Sequence, residues 1–303
     1  MSEYILTYGG SPITRTQGQY DFISTDWVDW VPMTWQYDRI PTYGDNVWKR
    51  SDTGSIYYSQ GTGTSKSYFL SYIPSGGTTG RWSDTSWSGL SRFDGRHVWN
   101  SVNGKTYYSY SYVGPYYEPG NYVLLTPSGR NPYWSSKSWS TETIIGESIW
   151  NDGSTDYEDN LYYYNIDKDT WYVAYWLRNG GDEYPNGIHV WKDSLGHIYY
   201  SNGEYQCLIE IGDPTGQGYK GAWYIKTWYG LSSFYGEDVW RDVKTGRIFY
   251  SRGTTQYMLD ESTSTWTQWT WKGLTDFYGR YVWTDGNRMF YSNGDSNQYV
   301  LNW

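Results

Sequence analysis

The residues that could do chemistry are few. His97, His189 and His197 are the only imidazoles in 303 residues, and Cys207 is the only thiol. A zinc site needs ligands at spacings such as His-x3-His or Cys-x-x-Cys, and neither occurs. His97 and His189 occupy one recurring position, which other copies fill with Asn46, Ser148, Asp238 and Tyr281. A position that accepts so many polar types reads as a polar site near a rim or channel, not as a proton-transfer or metal site. Cys207 falls where other copies carry Phe69, Val123, Met258 and Val300, so it reads as a small buried hydrophobe. A single cysteine also excludes an intrachain disulfide.

Other polar clusters are equally bland. Asp152-Gly-Ser-Thr-Asp156-Tyr-Glu158-Asp159 gathers carboxylates that could hold Ca²⁺, but it does not follow the twelve-residue Ca²⁺ loop and reads as a solvated hairpin. Gly230-Leu-Ser-Ser-Phe-Tyr-Gly has no nucleophile-elbow pattern; it aligns with Gly89-Leu-Ser-Arg-Phe-Asp-Gly and Gly273-Leu-Thr-Asp-Phe-Tyr-Gly as a structural loop. No catalytic residue, cofactor or metal is expected, and the chain is read as a non-enzyme. The binding candidates lie in two irregular loops. One carries Tyr112, Tyr116, Tyr117 and Glu118, and the other Asp182, Glu183 and Tyr184. Aromatic faces beside acids suit sugar or protein docking, and loops on a rigid scaffold are common binding sites.

The scaffold that would position them is written in the aromatic residues. The chain has 21 Trp, 37 Tyr and 35 Gly, with few of the residues that build long helices. Such a composition excludes a disordered chain, which would be aromatic-poor. No apolar run approaches the roughly 18 residues of a membrane helix. The formal net charge of −9 gives no electrostatic footprint for a phosphate backbone, so nucleic acid is not an expected partner. The N-terminus lacks a signal peptide's basic and apolar regions, and assembly in a cytoplasm is expected.

Internal repetition decides the fold. An apolar-Trp pair recurs at Val47-Trp48, Val98-Trp99, Ile149-Trp150, Val190-Trp191, Val239-Trp240 and Val282-Trp283, each with a glycine three residues before the apolar member. Trp pairs five apart precede each copy: Trp30/Trp35, Trp82/Trp87, Trp134/Trp139, Trp171/Trp176, Trp223/Trp228 and Trp266/Trp271. Two further runs complete each unit, a Tyr-Tyr-Ser type (Ile56-Tyr-Tyr-Ser; degraded to Asp156-Tyr-Glu in the third copy) and a Tyr-x-Leu type (Tyr299-Val-Leu). Short aromatic and β-branched runs between Gly/Asn/Asp turns read as strands. Four strands recurring every 40–50 residues signify propeller blades. The expectation is an all-β, six-bladed β-propeller with four antiparallel strands per blade. Its last blade would be closed by an N-terminal strand near residues 28–37, and residues 21–303 would form one domain. Residues 1–20 would be an arm or an extra strand.

The stretch from Trp271-Lys-Gly-Leu-Thr-Asp-Phe-Tyr-Gly to Val282-Trp, with Met289-Phe-Tyr-Ser and Tyr299-Val-Leu, resembles kelch-like propeller repeats, of a type found in bacteriophage structural and tail-associated proteins. It lacks the glycine doublet of standard kelch repeats. The resemblance implies a structural or docking protein of a virion, with partners among other virion or tail proteins and a place in a larger oligomeric assembly. The alternative reading is a lectin-like propeller that binds a cell-surface glycan.

Overall fold

The computed structural model describes residues 4–8, 11–15, 29–36, 43–61, 66–73, 77–101, 103–110, 118–139, 145–146, 149, 155–157, 160–165, 170–178, 186–211, 219–294 and 297–302. Strands β1 (Tyr4–Tyr8) and β2 (Ser11–Arg15) pair with each other as an antiparallel hairpin. They are followed by β3 (Asp29–Pro32) and β4 (Thr34–Gln36). The first blade is β5 (Val47–Lys49), β6 (Ile56–Gln60), β7 (Lys66–Tyr72) and β8 (Thr79–Thr85). The second is β9 (Val98–Asn100), β10 (Thr106–Tyr110), β11 (Gly120–Leu125) and β12 (Tyr133–Lys137). The third repeat contributes β13 (Thr155–Tyr157), β14 (Asn160–Asn165) and β15 (Thr170–Arg178). The fourth repeat supplies β16 (Val190–Lys192), β17 (Ile198–Ser201), β18 (Gln206–Ile211) and β19 (Tyr219–Ile225). The fifth supplies β20 (Val239–Arg241), β21 (Ile248–Gly253), β22 (Thr255–Asp260) and β23 (Thr265–Gln268), with the short β24 (Phe277–Tyr278) added to β21. The last sheet is β25 (Val282–Thr284), β26 (Met289–Ser292), β27 (Gln298–Asn302) and β3.

The expectation of six four-stranded blades is therefore corrected: the propeller has five blades of four strands. The exception is the third repeat, where three strands are described and β15 joins β19 in parallel, merging that sheet with the fourth blade. This is the repeat with the degraded motif: its second strand, β13, reads Thr155-Asp-Tyr in place of Tyr-Tyr-Ser yet still pairs with β14, and the inner-strand residue Trp150 lies outside the described residues. Closure by the N-terminal strand is present, through the antiparallel pairs Leu301↔Trp30 and Val300↔Val31. The closing strand ends at Pro32, earlier than the expected span. Trp35 belongs to β4, which instead runs parallel to β8 of the first blade.

The tryptophans explain why the sequence makes this architecture. Each described Val-Trp indole is buried between two blades. It meets the Trp that follows its own outer strand and the first Trp of the next blade's outer strand. Trp48 meets Trp87 and Trp134 at centroid distances of 5.6 and 6.0 Å. Trp99 meets Trp139 and Trp171 at 6.2 and 5.7 Å. Trp191 meets Trp228 and Trp266 at 5.5 and 6.0 Å. Trp240 meets Trp271 and Trp30 at 5.5 and 6.0 Å, and Trp283 meets Trp35 and Trp82 at 6.2 and 5.9 Å. Successive residues of a strand face opposite sides, so Trps five apart serve opposite gaps. Their mostly tilted and edge-on geometries are the favoured ones for aromatic pairs.

The Tyr-Tyr-Ser run is explained by the same indole. Its first aromatic stacks on the Trp across the strand pair, as in Trp48–Tyr57 at 4.7 Å and Trp240–Phe249 at 4.9 Å. Its serine accepts the indole N–H: Trp48 to Ser59, Trp99 to Ser109 and Trp191 to Ser201 at 3.0 Å, Trp240 to Ser251 and Trp283 to Ser292 at 2.9 Å. A buried donor without a partner is costly, and the serine removes that cost. The hairpin turns keep their expected chemistry, with Gly286 at φ +98 after Asp285.

Candidate functional site

Each inner strand is preceded by a single 3-10 turn that opens on the repeat glycine: Gly44–Asn46, Gly95–His97, Gly187–His189, Gly236–Asp238 and Gly279–Tyr281. These turns lean on one another. A Cβ at Gly279 would overlap the carbonyl oxygen of Asp238 in the preceding turn, and one at Gly44 would overlap that of Tyr281, where the ring closes. Only glycine allows that approach. The close contact also buries the third residue of the turn. Asn46, His97 and Asp238 are buried, whereas a polar surface was expected there.

At the turns Gly236–Asp238 and Gly279–Tyr281 this burial creates a charged cluster. Asp238 has 0% exposure and is gripped by Arg280 from the next turn, Nε to Oδ1 at 3.0 Å and Nη2 to Oδ2 at 3.0 Å. Arg280 Nη1 also lies 2.9 Å from Glu237 Oε1. Arg252 approaches Asp238 Oδ2 at 3.3 Å and stacks on the Tyr235 ring with its guanidinium carbon 3.9 Å from the centroid. His189 Nδ1 stands 3.9 Å from Glu237 Oε2. Burial pushes the Asp238 carboxyl up, against the pull of Arg280. Burial also holds His189 below the usual imidazole range, helped by Arg252 and Arg280. Two arginines balance two carboxylates, and bidentate pairing fixes their orientation. The arrangement locks adjacent turns together.

The second turn solves the same problem differently. Asp94 caps its own turn, accepting Arg96 N–H at 3.2 Å and Arg96 Nη2 at 2.8 Å. The slot residue, His97, packs on Tyr110 at 4.5 Å, and burial takes its pKa down to about 4, so it is neutral at pH 7. Burial likewise raises the carboxyl of Asp45 in the first turn.

Between the inner strands β16 and β20 lies an open groove of about 340 Å³. Its walls are Ile188, Val190 and Val239, with Glu237 at the turn end and Lys192 and Arg241 at the far ends of the strands.

Of the binding candidates read from the sequence, Tyr112, Tyr116, Tyr117, Asp182, Glu183 and Tyr184 lie outside the described residues. Glu118 is described, and its carboxylate accepts from Ser91 N and Arg92 N at 3.2 Å and from Ser91 Oγ at 2.9 Å. It ties down the Gly89-Leu-Ser-Arg loop. His197 pairs with Asp193 at 2.6 Å within the hairpin after β16, and Cys207 is buried with its thiol pKa raised by that burial. The side chains of the acidic loop around Asp156 lie outside the described residues. Among the described residues no group of three or more His, Cys, Asp or Glu could hold a metal ion, and no helix is long and apolar enough to cross a membrane. Sequence reading missed Glu237, Asp238, Arg252 and Arg280. The available signal was an acid in one repeat's turn and an arginine in the next, at positions that only ring adjacency brings together.

No family model and no curated protein matches the sequence. Among solved structures, the chain is similar to the extracellular domain of the one-component system BT4673 from B. thetaiotaomicron, with 11% identity and a TM-score of 0.23, covering 89% of this chain and 34% of that one. A second structure, described as the extracellular domain of a hybrid two-component system from the same organism, has 13% identity and a TM-score of 0.23, covering 82% and 32%. The chain spans about a third of the length of both. The kelch-like and phage resemblance thus rests on the repeat residues alone.

Proposed function

We propose that the protein is a non-enzymatic docking propeller that works by assembling with other proteins, as a component of a phage virion or tail. The observation that carries this reading is the division of labour among its apolar side chains. The repeat tryptophans are spent between blades, while Tyr224, Ile225 and Tyr229 remain exposed on and just after β19, Ile225 at 71% and Tyr229 at 64%. Exposed apolar side chains close together mark interaction surfaces, and these three fall within residues 224–229 at the end of an outer strand. The charged turn cluster is already paired within the chain and serves as scaffold.

Cryo-EM of assembled particles tests the reading. The expected result is the propeller seated against another virion protein through β19, with incorporation abolished by Ile225→Asp combined with Tyr229→Asp. Particles that carry the double variant at full occupancy overturn the role of β19. Micromolar glycan binding on an array, lost in Tyr116→Ala or Tyr117→Ala, would replace docking with lectin function.

A further inference from the structure

We propose that the exposed end of β19 recognises a protein segment presenting a carboxylate side chain flanked by aliphatic ones, with Lys226 as the receiving cation. The inference rests on the docking reading of β19 and names the chemistry of its partner. Lys226 directly follows the exposed Ile225. Its backbone N–H donates to Gln206 O at 2.7 Å, which carries the ladder with β18 one residue beyond β19 and puts Lys226 on the strand face of the exposed Tyr224. The half-buried Lys226 ammonium donates to Ser264 Oγ at 2.8 Å and stands 4.8 Å from the centroid of the buried Trp228 ring. Ser264 also ties in the exposed Tyr229, whose N–H donates to the Ser264 carbonyl at 3.1 Å. One serine therefore joins the cation to the apolar patch.

The ammonium is held in place without being neutralised. A hydroxyl and an indole face are its contacts, and among the described residues no carboxylate forms an ion pair with it. The two acids of the hairpin that carries Ser264 are engaged elsewhere. Asp260 accepts from Ser262 N at 3.0 Å and Ser262 Oγ at 2.7 Å, and Glu261 accepts from Ser194 N at 2.6 Å. The remaining ammonium donors suit a carboxylate, because charge-assisted hydrogen bonds are the strong ones. The backbone of Ser264 supplies an independent sign that the cation is positioned on purpose. Its φ is +55, and among the described residues it is the one non-glycine residue with positive φ. Glycine would take that conformation without strain but would lack the hydroxyl that holds Lys226. Strain of this kind gathers at functional sites, where the surrounding structure enforces it.

The test is titration of the intact protein with three blocked pentapeptides, Thr-Val-Xaa-Val-Thr with Glu, Gln or Lys at Xaa. Binding is followed by NMR at the Ile225 methyl and the Lys226 side chain. Expected is saturable binding of the Glu peptide, at least about tenfold tighter than the Gln peptide and tighter still than the Lys peptide, as one charge-assisted hydrogen bond distinguishes them. Lys226→Gln is expected to abolish that preference while leaving the thermal midpoint nearly unchanged. Ser264→Gly is expected to weaken the preference while leaving the fold at least as stable, because it removes the backbone strain together with the anchoring hydroxyl. If the three peptides bind alike, or if folded Lys226→Gln keeps the preference, acid recognition is overturned and the docking surface stands. If none of the three binds, the docking reading of β19 falls with it.

Discussion

Arg96 and Arg280 occupy the same position, second in the Gly-x-x turn, yet they do different work. Arg280 reaches back to the preceding turn and holds the fully buried Asp238. Arg96 bonds Asp94, directly before its own turn, and its side chain is 41% exposed. The backbone around them is the same. The difference comes from the preceding repeat, which offers Glu237-Asp238 to Arg280 and Asp45-Asn46 to Arg96. One repeat's arginine thus becomes an inter-blade clasp or a local cap according to its neighbour's residues.

The sharpest way to break this comparison is Arg280→Gln. It leaves the buried Asp238 with Arg252 at 3.3 Å and the backbone N–H of residue 280 at 3.4 Å, and the loss of the charged partner from a buried pair costs about 3–5 kcal/mol. Urea denaturation should show that loss with an unchanged slope. A loss below about 1 kcal/mol would mean that the clasp adds no more than an exposed pair.

The two arcs of the ring, one around Asp94–His97 and the other around Glu237–Arg280, should also answer acid with opposite signs. The folded-state pKa of His97 is depressed from 6.5 to about 4, so the native protein binds fewer protons than the unfolded chain between those values. Its contribution is whole above pH 6.5 and is lost as pH falls towards 4, up to about 3 kcal/mol. His97→Gln should flatten that part of the stability profile. Asp238 is raised above 3.8, so its contribution is present below that pH and is lost as pH rises through the folded value. A parent profile that is flat from pH 6.5 to 4 and unchanged by His97→Gln would refute the assignment.

What the arcs share should respond equally. Ser109→Ala and Ser251→Ala each strip the acceptor from a buried indole N–H, Trp99 in one arc and Trp240 in the other. Each should cost about 1–3 kcal/mol, by thermal or urea melts. Unequal losses would show that the arcs differ in more than their turns.

The same contrast marks what could be read before the structure. The Gly-x-x-Val-Trp repeat, the strand types and the closing strand were legible because each is a local pattern with a fixed side-chain period. The number of four-stranded blades was not, because counting Val-Trp pairs takes each to mark a complete blade, and the third repeat, where Asp156-Tyr-Glu stands in place of Tyr-Tyr-Ser, has three described strands. The charged cluster was hidden for a related reason. Asp238 and Arg280 are 42 residues apart and meet only because Gly279 lets two turns touch. In sequence, Asp238 read as one more polar residue of a variable position, and Arg280 belonged to no recurring set.

The smallest effect belongs to Arg96→Gln. The substitution removes the 2.8 Å pair to Asp94 Oδ2 but leaves intact the bond from the backbone N–H of residue 96 to Oδ1, so the cap survives. The lost partner is largely exposed, where Coulomb attraction is screened and side-chain ordering offsets it, which limits the cost to about 1 kcal/mol or less. Raising the salt concentration should shrink even that difference, while the Arg280→Gln deficit should hardly change because Asp238 has no water to screen it. If instead Arg96→Gln costs as much as Arg280→Gln, then Asp94, itself buried, depends on that guanidinium as fully as Asp238 depends on its own, and the two arginines would be equivalent after all.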